Sequence, residues 1–226
     1  MAAALRRPDP RAPGPAEALT VLAVLVGVEL ALAWAVSPPA GRLPALWRTG
    51  ALRLAETGGL FAYWRRRGRP LAHLGLTGAT ARRGVVVGAG LAASLGAAAG
   101  LAEGIGRWAA GASLLAHLAG PRLPSGELLA LLAVGGVVGP AFEELLFRGI
   151  LYGALRTRWG PAASTAAVTA LFAAAHAGSA PVPWVQAVGG VVFCVAYERS
   201  GSLWAPWIVH ATGNGALFLL PCVLAG

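Results

Sequence analysis

The chain of 226 residues is 57% hydrophobic and only 12% charged, and its mean hydropathy is +0.66. Ordinary soluble domains have about 25% charged residues, and a soluble core of this size could not enclose so much apolar surface. The composition therefore excludes a disordered chain, a disulfide scaffold and a soluble domain. It predicts an all-α, polytopic membrane helix bundle, with the lipid bilayer as the solvent for most of the chain.

The formal charge of +9 comes from 18 arginines, with no lysine, against 9 acidic residues. The arginines stand at the ends of apolar runs, as membrane orientation requires, and the cluster at residues 65–69 is predicted to face the cytoplasm. We therefore do not expect nucleic-acid binding. The preference for Arg, Ala and Gly is typical of GC-rich coding and suggests an integral protein of a bacterial cytoplasmic (inner) membrane.

Three regions are predicted along the chain. Residues 1–16, rich in Pro, Ala and Arg, are expected to form a flexible N-terminal tail. Residues 17–126 are expected to contain N-terminal membrane helices and a basic cytoplasmic loop. Residues 127–226 are expected to form a helical core that carries the catalytic chemistry.

Six apolar runs are predicted to span the membrane. They are residues 17–37, 84–102, 127–158, 161–177, 183–197 and 203–222. Residues 43–64 have apolar side chains at helical spacing with several charges between them, and an amphipathic helix in the membrane interface fits them best. A seventh span is the alternative. The N-terminal arginines would lie outside the cell with six spans and inside with seven.

Two adjacent carboxylates interrupt the apolar run GPAFEELLFRG at residues 139–149. An ionisable group near the bilayer centre costs on the order of 2.5–3.5 kcal/mol, so its presence suggests a function. Glu144 and Arg148 are four residues apart in the favourable order and are expected to pair. Neighbouring residues project about 100° apart on a helix, which leaves Glu143 without a helical partner. Such a carboxylate is suited to activating water as a general base.

Two further polar signals lie on later apolar helices. Phe172 and His176 are one turn apart near the end of one span, and His210 and Asn214 share a face of the last span. The second pair could hold an oxyanion, and hydrogen bonds between helices explain it equally well. The three patterns E-E-x-x-x-R, F-x-x-x-H and H-x-x-x-N together favour hydrolysis of a peptide bond inside a membrane cavity.

These three motifs, in this order, resemble those of the CPBP family of intramembrane proteases. That family includes the CAAX prenyl endopeptidases and the bacteriocin-processing or self-immunity proteins, and the resemblance covers roughly residues 127–222. It implies a glutamic-type endopeptidase. The substrate would be a lipidated or membrane-anchored protein, cut near its C-terminus by CAAX-type processing or by removal of a sorting tail.

The resemblance implies catalytic roles for four residues, Glu143, His176, His210 and Asn214, and supporting roles for Glu144, Arg148 and Phe172. Glu143 would activate the water with help from His176. The oxyanion side would be supported by His210, Asn214 and Arg148. Counted from the predicted span ends, the two histidines could be separated by roughly 10 Å, because one lies late and the other early on helices that run the same way. Shifted helix boundaries or a tilted helix would remove this gap.

No metal or cofactor is expected, because the chain has no H-E-x-x-H motif and the family is understood as glutamate-dependent. The alternative is a zinc ion held by Glu143, His176 and His210. Two other functions remain open, a non-cleaving bacteriocin immunity or binding protein of the same fold and a small proton-coupled transporter. Glu29, which lies inside the first span, is expected to pair with an arginine of residues 42–53.

Overall fold

The computed structural model describes residues 13–178 and 183–224, and within these residues all regular secondary structure is helical. The predicted all-α membrane bundle is confirmed. Most of the predicted N-terminal tail, residues 1–12, lies outside the described residues.

Seven long helices follow one another in the described chain: α1 Pro15–Ala35, α2 Arg42–Arg66, α3 Gly78–Ala110, α4 Ser125–Arg156, α5 Pro161–Ala175, α6 Trp184–Ser200 and α7 Trp204–Leu224. Their starts have local causes. Proline occupies the first position of α1 and α5, where its fixed φ suits the first helical turn. Thr77 and Thr80 form a reciprocal capping box at the start of α3.

One end of the bundle, called the basic end below, gathers nine of the 18 arginines: Arg65, Arg66, Arg67, Arg69, Arg82, Arg83, Arg156, Arg158 and Arg199. Polar contacts connect its helices, and two of them show which helix ends meet here. Arg69, just after α2, pairs with Glu17 at the start of α1 at 2.8 Å. Arg83 of α3 donates to the carbonyl of Arg199 at the end of α6, at 2.5 Å. The start of α1 therefore lies on the same side as the basic loop, as the seven-span alternative requires.

Helix α2 packs lengthwise along α4. A Cβ atom built on Gly50 would come within 2.8 Å of Val134, and the guanidinium of Arg53 lies 4.7 Å from the centre of the Phe142 ring. This packing disagrees with the prediction that residues 43–64 lie flat in the membrane interface. Two of the charged residues that interrupt the apolar pattern, Arg53 and Glu56, are instead paired with each other inside the bundle.

Among the residues that the structure describes, four helical segments are long and apolar enough to cross a membrane: Pro15–Ala35, Leu71–Ala110, Ser125–Arg156 and Trp204–Leu224. Helices α5 and α6, with 15 and 17 residues, are shorter than the about 20 residues that a typical crossing needs. The number of crossings therefore stays a prediction.

Helix α4 is the central helix of the bundle and is not uniformly wound. Val134–Val138 and Leu145–Tyr152 are π-helical, a rare winding that is frequent at functional sites. Pro140 follows the first π stretch and cannot donate a backbone hydrogen bond. All eight residues of the second stretch are buried, which places this part of α4 in the core.

Small residues bring α3 and α7 into close contact. A Cβ atom on Gly88 would lie 2.8 Å from the carbonyl oxygen of Ala205, and one on Gly84 would lie 2.6 Å from the hydroxyl of Ser202. Glycine and alanine allow this approach of backbones in membrane bundles. The contact holds α7, which carries two predicted site residues, against the N-terminal half of the chain.

Candidate active site

Glu144 forms a buried ion pair with Arg148. Nη1 of Arg148 donates to Oε1 of Glu144 at 3.0 Å, and the two side chains are 1% and 0% exposed. Nη2 of the same guanidinium donates to the carbonyl of Gly190, and the rings of Phe172 and Phe193 lie within 5 Å of it. The pairing expected from the i, i+4 spacing is therefore present. Arg148 is fully enclosed, and its side chain contacts Glu144 rather than a cavity.

His210 lies between the two carboxylates. Its Nδ1 is 2.7 Å from Oε1 of Glu144, and its Nε2 is 3.7 Å from Oε2 of Glu143. The Phe193 ring stacks on the imidazole, with ring centres 4.4 Å apart and planes inclined by 17°. A carboxylate paired with an arginine accepts hydrogen bonds, so Nδ1 is the donor and Nε2 faces Glu143.

His176 approaches Glu143 from the end of α5. It caps the C-terminus of that helix, and its Nδ1 lies 2.8 Å from the carbonyl oxygen of Phe172. A carbonyl only accepts, so Nδ1 donates and the Nε2 lone pair is left toward Glu143, whose Oε2 is 4.0 Å away. At 28% exposure against 7% for His210, His176 is the more accessible imidazole.

Glu143 points away from the buried ion pair and into a cavity of about 300 Å³ between α1, α2, α4 and α5. Its Oε2 is buried and has no hydrogen-bond partner among the described residues. The distances of 3.7 and 4.0 Å to the two imidazoles are too long for direct hydrogen bonds. A separation of this kind is one that a water molecule bridges.

The predicted offset between the two histidines is not found. Both imidazoles lie within 4.0 Å of the same Glu143 oxygen. The expected separation assumed that the two helices have the same length and begin at the same depth in the bundle. Helix α5 has only 15 residues against 21 for α7, so residue counts from the helix starts do not give depth in the bundle.

Asn214 lies beside His210 but already has a backbone partner. Its Nδ2 donates to the carbonyl of Gly135 at 2.8 Å, and Trp207, on the same helix, donates to the carbonyl of Val137 at 3.1 Å. Both carbonyls belong to the first π stretch. One N–H of the Asn214 amide is used in this way, and the second remains for another acceptor. Asn214 and His210 line a separate groove of about 380 Å³ beside α6.

All three motifs fall inside a match to a known family. Residues 125–216 match the family model described as type II CAAX prenyl endopeptidase Rce1-like. This segment is similar to the Rce1-like family and is called the Rce1-like domain below. The match begins at the first residue of α4 and ends just after Asn214, and it confirms the resemblance to CPBP proteases over that segment. No curated relative and no solved structure matches the chain.

Helix α6 of the Rce1-like domain contributes residues that the sequence did not single out. Phe193 stacks on His210, and the carbonyl of Gly190 accepts from Arg148. A Cβ atom on Gly190 would lie 2.9 Å from the Thr169 methyl group, so α5 and α6 pack closely here. The Gly189-Gly190 pair was the only signal of that approach, because a phenylalanine in an apolar helix looks the same whether it faces lipid or protein.

A second group outside the Rce1-like domain lines the Glu143 cavity. Nη1 of Arg53 lies 2.5 Å from Oε1 of Glu29 and 2.5 Å from Oε2 of Glu56. The expected pairing of Glu29 with an arginine of residues 42–53 is therefore present. The site is consequently built from both halves of the chain.

Within residues 13–178 and 183–224, no group of three or more His, Cys, Asp or Glu side chains is arranged to hold a metal ion. Whether the reaction proceeds without a metal stays a prediction. Zinc held by Glu143, His176 and His210 stays the alternative.

Proposed function

We propose that the protein is a glutamate-dependent intramembrane endopeptidase. Its substrate is a lipidated or membrane-anchored protein, cut near the C-terminus by CAAX-type processing or by removal of a sorting tail. One observation carries the proposal: the buried, unpartnered Oε2 of Glu143 faces the Nε2 atoms of His176 and His210 at the wall of a cavity. The family description of residues 125–216 supports the substrate class.

In the proposed reaction, a water molecule sits between Oε2 of Glu143 and Nε2 of His176. Glu143 takes a proton from this water as its oxygen bonds to the scissile carbonyl carbon. The hydrogen bond from His176 to the carbonyl of Phe172 supports an Nε2 lone pair that orients the water. Glu143 then passes the proton to the leaving nitrogen as the C–N bond breaks, which releases a carboxylic acid and an amine.

The negative charge on the tetrahedral oxygen needs hydrogen-bond donors beside the attacked carbonyl. A buried carboxylate beside an imidazole stabilises the imidazolium, and Glu144 is 2.7 Å from His210. The Nε2–H of that imidazolium and the second N–H of Asn214 are the proposed oxyanion donors. Arg148 contributes through Glu144, because the guanidinium is fully enclosed.

The proposal predicts that Glu143→Gln loses cleavage. Without its general base the enzyme should turn over about 10²–10⁴-fold more slowly, because the amide cannot take the proton from water. The measurement is mass spectrometry of a prenylated peptide ending in Cys-aliphatic-aliphatic-X after incubation with the purified protein in liposomes. Membranes of the host with and without the protein, compared for shifted C-termini, extend the search to other substrates.

Glu127→Gln is the matched control, because Glu127 lies on the same helix and pairs with Arg42 at 3.6 Å. It should cleave at the wild-type rate. Undiminished turnover by Glu143→Gln would refute the role of Glu143. The same assay with a chelator tests the metal: cleavage should continue, and a loss that Zn²⁺ restores would favour the zinc alternative.

A further inference from the structure

The Glu143 cavity has a second polar group in its wall, and the mechanism above does not use it. Arg53 of α2 lies between Glu29 of α1 and Glu56 of α2. We propose that Arg53 is a subsite for the free C-terminal carboxylate of the substrate, and that Glu29 occupies it when no substrate is bound. The inference rests on the proposed endopeptidase function, since it concerns the peptide end that cleavage releases.

The guanidinium of Arg53 has donors to spare. Both carboxylates contact the same nitrogen, Nη1, and neither Nη2 nor Nε makes a hydrogen bond within the described part of the chain. The side chain is 20% exposed and lines the cavity. Its flat face rests on the ring of Phe142, 4.7 Å from the ring centre. A guanidinium held in this way offers the two-pronged edge that recognises carboxylates.

The two acidic partners of Arg53 differ in a way that makes one of them replaceable. Glu56 lies one turn along the same helix and is only 5% exposed, so it remains the permanent counter-ion. Glu29 stands on the facing helix and is 41% exposed, so its side chain has room to turn away from Arg53. A substrate carboxylate that displaces Glu29 takes over its contact with the guanidinium, and the displaced side chain moves to the open rim of the cavity.

The cavity also limits what can reach Arg53. Among the described residues that line the cavity, Arg53 is the only arginine. Glu143 lines the same cavity, whose volume is about 300 Å³. Three extended residues span about 10 Å, and a cavity of this volume is at the small end of ligand sites. A short C-terminal segment fits this space, with its carboxylate at Arg53 and its scissile bond at Glu143.

The test uses two prenylated peptides of identical sequence, one ending in a free carboxylate and one ending in an amide. Wild-type protein should cleave the free acid with a kcat/KM about tenfold to a hundredfold higher, as expected for a charge-assisted hydrogen bond. Arg53→Gln should lose this preference through a higher KM for the acid. Glu29→Gln should lower the KM for the acid, because it removes the competing carboxylate.

Arg42→Gln is the matched control, since Arg42 also lies on α2 in an ion pair; it should keep the preference. Equal cleavage of acid and amide by the wild type would overturn the subsite and leave the endopeptidase standing. Cleavage of neither peptide would overturn the proposed function, and the subsite with it. Arg53→Gln leaves Glu56 buried and unpaired, and a variant that does not fold for this reason cannot be assayed. The Glu29→Gln variant then tests the subsite: an unchanged KM for the free acid refutes it.

Discussion

At the scale of single residues, two adjacent glutamates have opposite surroundings. Glu144 is 1% exposed and bonded through Oε1 to Arg148 and His210, whereas Glu143 is 22% exposed and its Oε2 atom has no partner in the described chain. Removing one partner of a buried ion pair is strongly destabilising, because the other charge is left buried and unpaired. A substitution of a carboxylate that is in no such pair does not carry this cost.

The same substitution at the two positions should therefore have different effects on stability. Glu144→Gln leaves the enclosed guanidinium of Arg148 without a counter-ion and should lower the free energy of unfolding by about 3–5 kcal/mol. Glu143→Gln should leave it nearly unchanged. Denaturant unfolding in detergent micelles measures both variants. A similar loss in the two variants would show that the buried pair is not what stabilises this part of α4.

The sequence predicted one contact residue by residue, the local pair of Glu144 with Arg148. It predicted a contact between distant segments only as a range, the pair of Glu29 with an arginine of residues 42–53. Glu144 and Arg148 lie on one helix, so the spacing alone predicts their pairing. Contacts between distant segments follow no such rule. The stacking of Phe193 on His210 and the position of Arg53 in the cavity wall depend on how helices are packed. Neither residue stands in a motif.

At the scale of helices, the contact between α3 and α7 depends on glycine. A Cβ atom on Gly88 would lie 2.8 Å from the carbonyl oxygen and 3.0 Å from Cα of Ala205, and backbone atoms cannot move aside as side chains do. Gly88→Ala should therefore separate the two helices and destabilise the protein by about 1–3 kcal/mol. Cleavage should also fall, because α7 carries His210 and Asn214.

Gly90→Ala is the matched control on the same helix. A Cβ atom there would meet nothing within 4 Å, and alanine favours a helix over glycine by up to about 1 kcal/mol. This variant should be at least as stable as the wild type in thermal unfolding in detergent. If Gly88→Ala were equally stable, the close approach of α3 and α7 would not limit the bundle.

The positions of most helices can be predicted from the hydropathy of the sequence. Two features of the helices cannot: the place of residues 43–64 in the bundle and the winding of α4. Residues 43–64 seemed interfacial because charges interrupt the apolar pattern, but Arg53 and Glu56 neutralise each other inside the bundle. The π stretches of α4 also have no pattern of their own. Their winding depends on neighbours such as Asn214, which bonds to the carbonyl of Gly135.

At the scale of the whole molecule, the arrangement of helix ends predicts the orientation in the membrane. The basic end should face the cytoplasm, and the start of α1 lies at that end through the contact between Glu17 and Arg69. Single cysteines test this in a chain whose two native cysteines are replaced by alanine. Arg158→Cys lies at the basic end, Arg122→Cys lies in the loop before α4, and Ala16→Cys marks the start of α1.

In intact cells, a membrane-impermeant maleimide should label only Arg122→Cys. The other two variants should react after permeabilisation, because they face the cytoplasm. Labelling of Ala16→Cys from outside would instead support six crossings. All three positions are exposed, so each is accessible to the reagent on its own side.

The irregular winding of α4 makes the register of this helix a determinant of activity in its own right. A change that returned Val134–Val138 to ordinary winding without removing a residue would leave the hydropathy of the span almost unaltered. Because a π turn contains about one residue more than an α turn, everything downstream would rotate by about 100°. Glu143 would leave the cavity wall, and Arg148 would turn away from the carbonyl of Gly190. Single-residue insertions and deletions in α4 should thus be far less tolerated than conservative replacements, even where no side chain with chemistry is touched.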